Sequence, residues 1–103
     1  MIVEVVGGAD QRPEVRVVDV DDLTSVFVAV GEVTDEEVGA ALAAAGLGRL
    51  EDADTAALDA AAVRAAAEPN AGGGDWGQRW ERLTGSATEA GTLRVPVRSA
   101  AGA

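Results

Sequence analysis

The chain has 103 residues, enough for one domain and too few for two. Eighteen acids stand against eight cations, all of them Arg, which leaves a formal charge of −10; Cys, His, Lys and Tyr are absent. These absences exclude disulfides, thiolate nucleophiles, zinc fingers, imidazole bases, Schiff-base lysines, Walker-type phosphate loops and lysine-anchored biotin or lipoyl arms.

Residues 2–6, IVEVV, are short and β-branched, as strands are. Residues 14–20, EVRVVDV, and 25–30, SVFVAV, have the same character. The links GGADQRP and DDLT between the three runs are turn-like. Links this short predict antiparallel neighbours. The third run is apolar on both faces, with Val26, Val28 and Val30 on one and Phe27 and Ala29 on the other. That pattern suits a central strand covered on both sides, or on one side plus a dimer contact.

A first helix is signalled from Thr34 as N-cap, with Glu37 three residues on to close a capping box and Val33 and Val38 at the staple positions. Asp35, Glu36 and Glu37 complement the helix dipole. Val38, Leu42 and Ala45 repeat at helical spacing. Gly46 then supplies a left-handed stop, and Leu47 folds back onto Leu42.

Leu58 and Val63 repeat the staple spacing and place a second N-cap at Asp59. This helix should stop before Pro69. Residues 54–58, DTAAL, read as a short strand feeding it, with a single helix from Asp54 as the competing reading. EPNAGGG at 68–74 is a loop, and a third helix opens at Asp75 with Gln78 at the reciprocal position. Trp76, Trp80, Leu83 and Ala87 form its apolar stripe. Gly85 weakens the second half of this helix, and Gly91 is read as its stop. Residues 92–98, TLRVPVR, alternate with Leu93, Val95 and Val97 inward. Pro96 cannot donate to a ladder, which predicts an edge strand. The expected fold is therefore a single α+β domain over 1–98, a small antiparallel sheet of three to four strands with three helices, and a disordered tail over 99–103. Its expected core includes Val5, Val17, Val26, Val28, Val30, Val38, Leu42, Leu58, Val63, Trp76, Trp80, Leu83 and Val95.

The succession AAGLG after a capped helix, LDAAAVRAAA, DWGQRWERL and a closing strand resembles small uncharacterised proteins of about this length from high-GC Gram-positive bacteria. The resemblance covers residues 33–98. It departs at Leu83, Ala87 and Ala90, where the similar sequences carry aromatics. That group has no assigned activity, so the resemblance implies no site; it favours the strand at 55–58.

Candidate chemistry is sparse. GGGDW resembles a phosphate-binding loop at a helix start, but Asp75 would repel the phosphate. DVDDLTS and EDADTAA lack the alternating pattern of a calcium loop. Ser25, Ser86 and Ser99 have no His or Lys base and no GxSxG elbow. Trp76 and Trp80 fit core packing better than a stacking platform. No catalytic, metal or cofactor-binding residue is assigned, and no cofactor is expected.

The charge is lopsided. Residues 1–54 carry thirteen acids against Arg12, Arg16 and Arg49, whereas residues 55–103 are balanced. The expected function is a non-enzymatic protein-interaction or regulatory module. Its candidate partner-binding residues are Asp19, Asp21, Asp22, Glu32, Asp35, Glu36 and Glu37. The expected partner is a basic protein, with a homodimer left open; nucleic acid and membranes are not expected, because the charge repels them. The amino terminus lacks the basic region of a signal peptide, which points to the cytoplasm. The alternative is a small enzyme or ligand-binding protein using carboxylates and Arg in a pocket at a dimer interface. Two or more buried acids in a cleft would distinguish it.

Overall fold

The computed structural model describes residues 1–7, 13–31, 33–89 and 91–99. The link at 8–12, Glu32, the Ala87 side chain and the tail at 100–103, all subjects of expectations above, lie outside the described residues.

Strand β1 (Ile2–Gly7) forms an antiparallel pair with β2 (Pro13–Val18). Strand β3 (Phe27–Gly31) does not pair with β2; it lies parallel to β1 on β1's other edge. Helix α1 (Asp35–Ala44) leads into β4 (Gly48–Asp52), which hairpins onto β5 (Thr55–Asp59). Helix α2 (Ala60–Ala67) runs into one 3-10 turn at Glu68–Asn70. Helix α3 (Trp76–Ala87) is followed by the two-residue β6 (Thr88–Glu89) and by β7 (Thr92–Ser99). The main sheet has the order β2-β1-β3-β7-β5-β4, with β6 pairing β7 off that path.

The fold is thus α+β with three helices, but its sheet corrects the expectation of three or four antiparallel strands. It has six strands in the main path and is mixed, with β1, β3 and β7 parallel. It is also curled: α1 packs against both β2 and β4, which stand at opposite edges of the strand order. Two local facts explain the difference. Residues 19–26 carry the chain past β1 instead of turning it straight back; Asp19 takes φ 50 at the start of this loop, and Asp22 N–H bonds the Asp19 carbonyl at 3.0 Å. In addition, β4 has Leu50 as its only large apolar residue and shifts register between Leu50 and Asp52, so it shows no alternation to read.

β7 is central, not an edge. Residues 92–96 pair with β5, and residues 97–99 pair with β3. Val97 N–H bonds the Asp54 carbonyl at 2.8 Å, so by alternation the nitrogen of Pro96 points away from β5. There it faces a gap on the opposite edge, between β6 at Thr92–Leu93 and β3 at Val97–Ser99. No ladder bond is required of Pro96 at that point. Ser99, expected in the tail, ends β7 opposite Val30.

Helices α1 and α2 keep their sequence signals. Thr34 accepts from Glu37 N–H at 3.2 Å and Glu37 Oε1 accepts from Thr34 N–H at 2.9 Å, which completes the capping box. Gly46 takes φ 73; Leu47 N–H bonds the Leu42 carbonyl and Gly46 N–H the Ala43 carbonyl, the paired bonds of a Schellman stop. Asp59 caps α2 by accepting Ala62 N–H at 3.0 Å. The strand at 55–58 is present as β5. Gly91, at φ 81, turns β6 into β7 and does not end α3, which stops at Ala87.

One apolar cluster fills the concave side of the sheet. Val3, Val5, Val28, Val38, Leu42, Leu58 and Val63 are buried there with Trp76, Trp80 and Val95, while Val17, Val26, Val30 and Leu83 are half-buried against them. Trp76 and Trp80 stack 5.5 Å apart at 6°, and Trp76 Nε1 donates to the Val20 carbonyl at 2.5 Å. In a chain with 22 alanines these two rings supply much of the core's bulk. Trp80→Ala should lose roughly 3–5 kcal/mol, measured by urea denaturation; an unchanged midpoint would overturn this core assignment. Gly48→Ala should cost more than Gly46→Ala. A Cβ at Gly48 would meet the Ala57 carbonyl oxygen at 2.2 Å, whereas a Cβ at Gly46 meets nothing and bears only left-handed strain, about 1–2 kcal/mol.

Candidate functional site

The acidic residues singled out above fall into two groups at opposite ends of β3. Asp19, Asp21 and Asp22 lie in the loop before it, and Asp35, Glu36 and Glu37 lie just after it. Five residues of strand separate them by about 16 Å, so they do not form one surface. Glu32 lies outside the described residues.

In the first group the carboxylates of Asp21 and Asp22 are tied into the fold, while Asp19 contributes its carbonyl to the turn. Asp21 accepts Gly72 N–H on both carboxylate oxygens, at 2.9 and 3.3 Å. Its carbonyl accepts Arg79 Nη1 at 3.0 Å. Asp22 Oδ1 accepts Thr24 Oγ1 at 2.5 Å and Thr24 N–H at 3.1 Å. Its carbonyl, with that of Ser25, accepts from the Met1 nitrogen. Arg79 also approaches Asp75 at 3.6 Å. The loop at 19–25 is therefore a strap joining the start of β1 to the start of α3. It also answers the phosphate question at GGGDW: an acid of the chain itself already occupies a donor of that glycine loop.

The second group is different. Glu37 is held in the capping box, but Asp35 and Glu36 are exposed in the first turn of α1. The register adds acids that sequence reasoning did not connect with them. The parallel strands β3 and β7 end at the same side of the sheet, and the β4–β5 turn meets that end of β7 through the bond from Val97 to Asp54. Exposed Asp52 and Asp54 therefore lie at the same end as Asp35 and Glu36. Asp52 Oδ1 shapes the turn by accepting Asp54 N–H at 2.8 Å. The missing signal was β4 itself, whose composition does not announce a strand.

A groove of about 450 Å³ lies at the other end, between the close of α1 (Ala43, Gly46), the start of β4 (Gly48, Arg49) and the start of α2 (Asp59, Ala61). Among the described residues Asp59 is the one acid lining it, and that carboxylate is engaged as the α2 cap. Ala60 N–H is taken by the Gly91 carbonyl at 3.0 Å. Among the described residues no two acids pair in this groove, as acid–base chemistry by paired carboxylates in a cleft would require. Among the described residues no three His, Cys, Asp or Glu side chains gather to hold a metal ion, and no polar or charged residue is buried. No helix among them is long and apolar enough to cross a membrane.

No family model, curated protein sequence or solved structure matches the chain, so nothing there bears on its resemblance to proteins of high-GC Gram-positive bacteria.

The strap makes a pH prediction. The hydrogen bonds from the Thr24 hydroxyl and N–H hold Asp22 below its ordinary value. A depressed carboxylate contributes stability that is present above its unfolded pKa, near 4, and lost as pH falls through the lower folded value. Thr24→Val removes the larger of these contributions, so Asp22 should titrate closer to its ordinary value, and the variant's stability should fall less steeply in acid. Carboxyl-carbon NMR titration measures the shift; an unmoved Asp22 midpoint would show that Thr24 does not set it.

Proposed function

We propose that the protein is a non-enzymatic interaction module of the cytoplasm that docks a basic protein through the acidic end of its sheet. The observation that supports this reading is the convergence of Asp35 and Glu36 with Asp52 and Asp54, which are far apart in sequence and share the end where β3 and β7 finish. These side chains are exposed, so a cationic partner can reach them directly from solvent. A basic partner is steered towards them and an anionic one is turned away. Asp19, Asp21 and Asp22 are left out of the docking surface in this reading, because two of the three are bound up in the strap.

The test compares the wild-type chain with Asp35→Asn/Glu36→Gln/Asp54→Asn in titrations of an Arg-rich peptide at two salt concentrations. Asp52 is kept, since it shapes its turn. Wild-type binding should weaken several-fold from low to high salt, because such attraction is screened beyond about 10 Å at 0.1 M. The triple variant should bind more weakly at low salt and show a shallower salt dependence. A matching set of proteins captured from native extract by both chains, together with equal peptide affinity, would sink the acidic-end reading and leave the charge as a solubility feature.

A further inference from the structure

We draw no further inference here: the strongest candidate, the groove between the close of α1 and the start of α2, is lined mostly by Gly and Ala, and its charged side chains, Arg49 and Asp59, are both exposed, so nothing in the structure shows what it would hold.

Discussion

Everything else in this molecule hangs on β7 bonding two different partners along its two edges. Its first five residues complete an antiparallel meander with β5 and β4, and its last three extend a parallel set with β3 and β1. A proline inside a central strand removes a donor and would ordinarily break the sheet. Here Pro96 points its nitrogen at the gap between β6 and β3, where one neighbour has ended and the next begins. The handover allows a chain of 103 residues to build a six-stranded path, and the curl of that path brings α1 against both edge strands.

The concave side of the curl must then be filled by a sequence with little bulk. α2 presents Val63 and Ala67 and α1 presents Val38 and Leu42, which leaves volume that small side chains cannot occupy. The stacked Trp pair occupies it, and the indole of Trp76 meets its polar requirement at the Val20 carbonyl, beside the strap. Packing and strap therefore cooperate. The bonds from Gly72 N–H to the Asp21 carboxylate and from Arg79 to the Asp21 carbonyl hold the start of α3 against the loop that positions β3. Exposed hydrogen bonds of this kind contribute little individually, but here each joins segments more than fifty residues apart.

The same architecture sorts the charge. Acids concentrate at the sheet ends, where turns and a helix start accept them for local reasons, and the convex face receives a share of Arg that leaves it close to neutral.

Sequence alone determined the parts governed by short-range chemistry. The Thr34 box, the Gly46 stop, the Asp59 cap and the inward Trp pair are each fixed by residues within about one helical turn, so their signals survive without tertiary context. The alternation of Leu93, Val95 and Val97 was equally legible. Tertiary structure decided strand order. The residues of β3 are compatible with pairing to either neighbour, and only the path of 19–26 makes it parallel to β1. β4 carries one inward leucine and becomes a strand because β5 offers it an edge. Pro96 forbids a central strand only if a ladder bond is required at its position, and that depends on where β6 stops and β3 starts. The candidate site followed the same division. The exposed acids at the start of α1 were visible as a cap, but their placement at the same end of the sheet as Asp52 and Asp54 depends on register, a relation between distant strands that no local pattern encodes.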